Sequence, residues 1–136
     1  MDQPVSTIMV IDLITVEVTD SLKDVANVFG NIKIRHIPVM AGDTLVGIVS
    51  QSDVARMKHF CQVLESGDRE LFDELNAVSV KSLMKTPKTI SKDQSIRELV
   101  EILAVNHFHA LPVVHDHRLV GIVTSTDIMK YALKNF

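Results

Sequence analysis

PVMAGDTLVGIVSQSD, residues 38–53, returns as PVVHDHRLVGIVTSTD, residues 112–127, so one unit is written twice in this chain. Eight of the sixteen positions are identical, and Ser50/Thr124 and Ser52/Thr126 keep a hydroxyl in register. A core needs apolar volume at fixed spacing. It has no need for a glycine, two hydroxyls and an aspartate, so repetition of that polar set marks it as the functional part of the repeat.

The duplication divides the chain into halves of about sixty residues, each marginal for independent burial. The halves are therefore expected to bury their apolar faces against each other. Hydrophobic residues make up 46% of the chain and aromatics 4%, so Val, Ile and Leu carry the core and the chain reads as globular. The net charge of -3 offers no basic excess for nucleic acid or an anionic membrane. No Trp and one Tyr leave little for stacking bases. A small anionic ligand held by local donors stays open. Cys61 is the only cysteine, which excludes an intrachain disulfide and a cysteine-based zinc cluster. MDQPVSTIM lacks the basic and apolar regions of a secretion signal, and no apolar run approaches the about twenty residues that span a bilayer. A reducing, cytoplasmic setting and no membrane insertion are the expectation.

Each copy opens on a short β-prone segment, Ile14 to Val18 and Thr89 to Ser91, followed by a helix signal. Ser21 with Asp24, and Ser95 with Glu98, stand at capping-box spacing. Leu22, Val25, Ala26 and Phe29, and their counterparts Ile96, Leu99, Val100 and Leu103, then recur on one helical face. Two strand-like runs follow in each copy, Ile37 to Met40 with Leu45 to Ser50, and Leu111 to Val114 with Leu119 to Thr124. Ala41 to Thr44 and His115 to Arg118 fit polar hairpin loops. Pro38 and Pro112, lacking a ladder N–H, belong near a strand start or on an edge. A second helix is predicted to begin near Ser52 and near Thr126. The repeat thus reads β-α-β-β-α, an α/β fold. Residues 1–68 are expected to form the first repeat with an extended second helix, 69–77 a helical linker and 78–136 the second repeat.

Gly47-Ile-Val-Ser50-Gln-Ser52-Asp53 and Gly121-Ile-Val-Thr124-Ser-Thr126-Asp127 each end a strand and start a helix. Unpaired N–H groups and the positive end of the helix dipole suit such a junction to a phosphate or a ribose hydroxyl. A carboxylate can accept two hydrogen bonds from a cis-diol, and hydroxyls can donate to phosphate oxygens. Glycine permits close approach of a ligand or neighbouring backbone. Capping explains part of the same pattern: Ser50 with Asp53 is capping-box spacing, and Ser52 and Thr126 would be ordinary N-caps.

With its two h-P-V strands (h, apolar), its L-V-G-I-V strands and its Gly-h-h-Ser/Thr-x-x-Asp junctions, the chain resembles a tandem pair of CBS (cystathionine β-synthase) domains, the Bateman module. The resemblance runs from Pro4 to Leu64 and from Val78 to Leu133. It implies two repeats packed sheet to sheet with pseudo-two-fold symmetry and clefts for AMP, ADP, ATP or S-adenosylmethionine as a regulatory ligand, with no obligatory cofactor. It makes Asp53 and Asp127 ribose ligands and places Ser50, Ser52, Thr124 and Thr126 near ribose or phosphate. Arg35 with His36, and Phe108 with His109, would face the phosphates or flank the base, while Thr15-Val16 and Thr89-Ile90 would offer backbone and apolar contacts to the adenine. Arg35-His36 becomes His109-Ala110 in the second copy, so on this resemblance the cleft around Asp53 is expected to hold more phosphate donors; Arg56 and Lys130 could reach a phosphate or be solvated helix charges.

The resulting expectation is a non-enzymatic sensor that passes nucleotide occupancy to an unknown effector protein. Two other classes compete: a purely structural dimerisation module, and a metal-binding protein using the alternating His107/His109 and His115/His117 pairs. No nucleophile, base and oxyanion-donor set is present in the sequence. A homodimer is expected because Val54, Met57, Cys61, Leu64, Ile128, Met129 and Leu133 are read as outward apolar helix faces.

Overall fold

The computed structural model describes residues 1–65, 73, 77–106 and 108–136. Its elements follow the repeat. β1 (Val16–Glu17), α1 (Leu22–Asn31), β2 (His36–Ala41), β3 (Thr44–Ser50) and α2 (Gln51–Glu65) form the first series. β4 (Ile90–Ser91), α3 (Ile96–Asn106), β5 (Ala110–His115), β6 (Arg118–Thr124) and α4 (Ser125–Asn135) form the second. Both series are β-α-β-β-α, as the apolar periodicity predicts. A 3-10 turn precedes each, Val5–Thr7 and Val80–Ser82, and periodicity gave no sign of either.

Compactness cuts the chain elsewhere than the repeats do. One unit is Ile14–Thr86; the other joins Met1–Leu13 to Pro87–Phe136. The opening segment of each repeat therefore packs with the β-α-β-β-α series of the other repeat. In the first unit the Leu22 amide donates to the Val78 carbonyl and the Val80 amide to Asp20. In the second the Ile96 amide donates to Gln3 and the Val5 amide to Gln94. Of the expected linker 69–77, all but Asp73 and Ala77 lie outside the described residues.

Each unit holds a three-stranded sheet, β1-β2-β3 and β4-β5-β6, with the first pair parallel and the second antiparallel. The parallel pairing needs a crossover, and α1 or α3 supplies it. Ser21 caps α1 through a complete box with Asp24. At α3 the Ser95 hydroxyl accepts the Glu98 amide, but the Glu98 carboxylate turns to Gln94 Nε2. Leu22, Val25 and Phe29 of α1 are buried with Ala26 packed beside them; Ile96 and Leu99 of α3 are buried with Val100 and Leu103 half-buried.

Three expectations change in detail. The hairpins turn on two residues rather than four: Gly42 takes φ +60°, and Asp116 and His117 take φ 49° and 66°. Two successive left-handed residues make a primed turn, whose twist matches that of the strands. Pro38 and Pro112 stand third in central strands, where β1 and β4 have not yet begun to pair, so no ladder partner meets the missing N–H. Val54, read as an outward residue, is 3% exposed in the core of its unit, and Met57 and Ile128 pack on their cores. Met129 and Leu133 do face out, while the side chains of Cys61 and Leu64 lie outside the description.

Candidate functional site

Each expected set of ligand residues falls within one unit and at one end of its sheet. Thr15, Val16, Arg35, His36, Ser50, Ser52 and Asp53 belong to Ile14–Thr86; Thr89, Ile90, Phe108, His109, Thr124, Thr126 and Asp127 belong to the other unit. The hairpin register brings His36 opposite Ser50 and Ala110 opposite Thr124. The Gln51 amide donates to the Arg35 carbonyl at 2.7 Å, and the Ser125 amide to the His109 carbonyl at 3.1 Å. Those bonds tie the start of each second helix to the residues before each h-P-V strand. Arg35, Phe108 and His109 are exposed there and His36 is half-buried. Val16 and Ile90 are 6% and 1% exposed in their cores, so backbone is what these two positions offer a ligand, with Thr15 exposed and Thr89 half-buried beside them.

The second helices begin one residue earlier than the sequence suggests, because the cap is the first hydroxyl of the motif rather than the second. Thr124 is the N-cap of α4, accepting the Asp127 amide at 3.4 Å. Asp127 Oδ2 in return accepts the Thr124 amide at 2.8 Å and its hydroxyl at 3.0 Å. Ser50 accepts the Asp53 amide at 3.2 Å and lies 3.3 Å from the Ser52 hydroxyl. Ser52 and Thr126, expected as alternative caps, are exposed within the first helical turn. Capping chemistry thus occupies both junctions, and the side chains keep lone pairs beyond it.

The two aspartates differ in company. Asp53 Oδ1 meets the Arg56 guanidinium, and Lys85 Nζ lies 3.6 Å from Oδ2. Burial pushes the Asp53 carboxyl up, but the Ser50 hydroxyl, Lys85 and Arg56 together outweigh it and hold the group below its ordinary value. Asp127 has no ion pair among the described residues. An open groove of about 540 Å³ runs from Asp53, Arg56 and Met57 to Ser82, Leu83 and Lys85 beside the 3-10 turn. Its counterpart, about 410 Å³, lies between Asp127, Lys130, Tyr131 and Lys134 of α4 and Gln3, Thr7 and Ile8. Tyr131 donates to Gln3 Oε1 at 2.7 Å across it.

Lys85 and the 3-10 turns escaped sequence reading because they lie outside the conserved-looking run of the repeat. The glycines of L-V-G-I-V had a legible role of a different kind. A Cβ on Gly47 would stand 2.4 Å from Met84 Sδ, and one on Gly121 2.7 Å from Met9 Sδ. Close approach is required there, but the visitor is a methionine of the opening segment. For the metal alternative, no group of three potential ligands occurs among the described residues; His107 lies outside them, and His115 Nε2 lies 3.3 Å from its neighbour Asp116. No described helix is long and apolar enough to cross a membrane.

The chain is 29% identical over 122 residues to the protein MJ1225 of Methanocaldococcus jannaschii, covering 88% of this chain and 44% of that one. The crystal structure of MJ1225 superposes with a TM-score of 0.82 at 26% identity, covering 96% and 48% of the two chains. CBSX2, solved in complex with AMP, gives a TM-score of 0.79 at 25% identity and covers 98% of both. Homoserine O-acetyltransferase of Methanohalobium evestigatum is 30% identical over 128 residues, 93% of this chain and 23% of the enzyme. The chain thus spans less than half the length of these curated relatives. The CBS domain model matches twice, at residues 5–59 and 80–134, over two series that share one topology and one capped Gly-h-h-Ser/Thr-x-x-Asp junction, and the chain belongs to the CBS domain family.

Proposed function

We propose that this chain is a non-enzymatic regulatory module that binds an adenine nucleotide at its strand-to-helix junctions and passes the occupancy to an effector protein. The observation that carries this reading is the pair of capped junctions, each presenting an aspartate and hydroxyls at the same sheet end as Arg35 and His36 or Phe108 and His109. Full-length likeness to CBSX2, solved with AMP, supports an adenine ligand. Cations at Arg35, Arg56 and Lys85 favour AMP, ADP or ATP over S-adenosylmethionine, whose sulfonium is positive. Likeness to 23% of an acetyltransferase supports action upon another protein. Cysteine usage supports a reducing, cytoplasmic setting. Exposed Met129 and Leu133, at 64% and 85%, support a homodimer through the face of α4, which light scattering at micromolar concentration checks.

Asp53→Ala and Asp127→Ala test the ligand role. If the carboxylates accept ribose hydroxyls, each substitution weakens adenine-nucleotide binding at its junction by about 1.5–3 kcal/mol in calorimetry. A specific observation favours a second reading, that both aspartates only complete helix ends: every bond Asp127 makes among the described residues is a capping bond. That reading expects a double variant with lowered melting temperature and unaltered nucleotide affinity, an outcome that overturns the sensor assignment.

A further inference from the structure

Residues 4–10 and 79–85 dock in the same way on the two units. Val5 and Val80 are both fully buried. The Val5 amide donates to Gln94 as the Val80 amide does to Asp20, and the Gln3 and Val78 carbonyls accept from Ile96 and Leu22. Met9 and Met84 sit on Gly121 and Gly47. Val10 and Lys85 then form reciprocal pairs of backbone bonds with Ile122, at 2.8 and 3.0 Å, and with Ile48, at 2.9 and 3.0 Å. Their place in the chain differs. Residues 79–85 lie inside the continuous unit Ile14–Thr86, whereas the whole of that unit stands in the sequence between residues 4–10 and the seat they fill.

Nothing in that seat distinguishes the segment of its own chain from that of another. Val5 enters the core of Ile90, Leu99 and Val113, with Ile8 and Met9 packed beside it, and any copy of residues 1–10 brings these groups. The link onward to Ile14 is Ile11–Leu13, which belongs to no helix or strand. It folds back through a three-residue turn, the Leu13 amide donating to the Ile11 carbonyl at 2.9 Å. Apolar surface is left uncovered at this hinge, with Val10 42% and Ile11 67% exposed. Opening the turn lets the segment reach another molecule, and exchange restores every docked contact in both copies. We propose that the seat takes the opening segment of a second copy of this chain: two copies exchange residues 1–10, and their opened hinges meet about the two-fold axis and cover Val10 and Ile11. This interface is distinct from the face of α4 and requires no ligand.

A disulfide trap tests the exchange. Pro4 and Ser95 face each other across an antiparallel bridge whose bonds run through their neighbours, a pairing that sets Cα atoms about 4.5 Å apart and within disulfide reach. Pro4→Cys/Ser95→Cys in a Cys61→Ser background is refolded from urea at about 10 µM or about 1 mM and then oxidised, since only the higher concentration competes with docking inside one chain. A segment on its own chain locks a monomer; an exchanged segment locks a covalent dimer. Severalfold more dimer is expected at the higher concentration, with peptide mapping of mixed light and heavy isotope-labelled copies joining position 4 of one to position 95 of the other. Ile11→Asp, at an exposed position, should cut that dimer severalfold, and Leu133→Glu on α4 should leave it unchanged. Links confined to single copies at both concentrations, or a dimer lost in Leu133→Glu and kept in Ile11→Asp, overturn the proposal. Leu133→Glu without added cysteines gives a second readout. Refolded at about 1 mM and diluted to about 10 µM, it should hold its dimer in light scattering, because release requires undocking of both segments; a chain that is monomeric throughout overturns the exchange.

Discussion

Asp53 and Asp127 stand on one backbone design and live in different electrostatic settings. Asp127 turns back on Thr124, so its carboxylate closes a local cap. Asp53 turns outward to Arg56 and Lys85, and its cap rests on the Ser50 hydroxyl alone. The difference shows which parts of a duplicated fold are free to diverge. A hydroxyl at the strand end satisfies a helix-start amide in both units, whatever the aspartate does. Once the backbone is satisfied, the carboxylate can be given to structure or to charge.

The largest effect that would sharpen the comparison lies beneath the junctions. Gly47→Ala drives a methyl to within 2.4 Å of Met84 Sδ and 2.8 Å of its Cγ; Gly121→Ala meets Met9 Sδ at 2.7 Å and the Val10 carbonyl oxygen at 3.0 Å. Overpacking of this kind costs about 1–3 kcal/mol, read from urea denaturation. Met84→Ala should restore most of the loss in the first unit, where only a side chain must yield. Met9→Ala should restore less in the second, where backbone also stands in the way. Neutral behaviour of both glycine variants would break the symmetry argument at its root.

A middle-sized effect concerns the caps themselves. Thr124→Ala removes the acceptor of the Asp127 amide and a donor to Asp127 Oδ2, so a loss of about 1 kcal/mol is expected in melting experiments. Ser50→Ala should cost less, since its hydroxyl accepts one amide and touches Ser52, and the Asp53 carboxyl it also supports is held by Arg56 and Lys85 as well. If Ser50→Ala proved the more damaging, the division of labour between the two aspartates would be reversed.

The smallest effect is a pH dependence confined to one junction. The Asp53 carboxyl lies below its ordinary 3.8 in the folded chain, so its contribution to stability is complete above that value and fades as pH falls through the lowered one. Urea midpoints of wild type and Asp53→Asn should differ most at neutral pH and converge in acid. Exposure of Arg56 and Lys85 to water keeps the difference modest. A gap that widened on acidification would contradict the charge arrangement drawn for Asp53.

Much of the fold is legible because its signals are local. Ser21 and Asp24 announce a helix start, and Leu22, Val25 and Phe29 announce the face it buries. Two repeated strands around a short polar loop announce a hairpin, although the turn closes on Gly42-Asp43 and Asp116-His117 alone. What stays hidden is long-range. No periodicity joins Val5 to Gln94 or Met9 to Gly121, and the equivalence of Val10 and Lys85 rests on backbone bonds to Ile122 and Ile48 that carry no sequence signal. The aspartates and hydroxyls of the candidate site are legible as a repeated set, whereas the cation that distinguishes them sits in a stretch with no motif. Val16 and Ile90 carry a further ambiguity: a β-branched residue at a strand start reads equally well as a ligand contact or as core, and the structure buries both side chains while leaving their backbone at the sheet end.

The joining of Met1–Leu13 to Pro87–Phe136 also sets an order of events during synthesis. Ile14–Thr86 is continuous in sequence and can complete its internal contacts while the ribosome is still at work. Met1–Leu13 is made before that unit yet completed after it, because the carbonyl and amide of Ile122 that secure Val10 are synthesised later than Thr86. Until then Val5, fully buried in the folded unit, lacks the residues it packs against, and the nascent chain carries an exposed apolar segment that chaperones can hold.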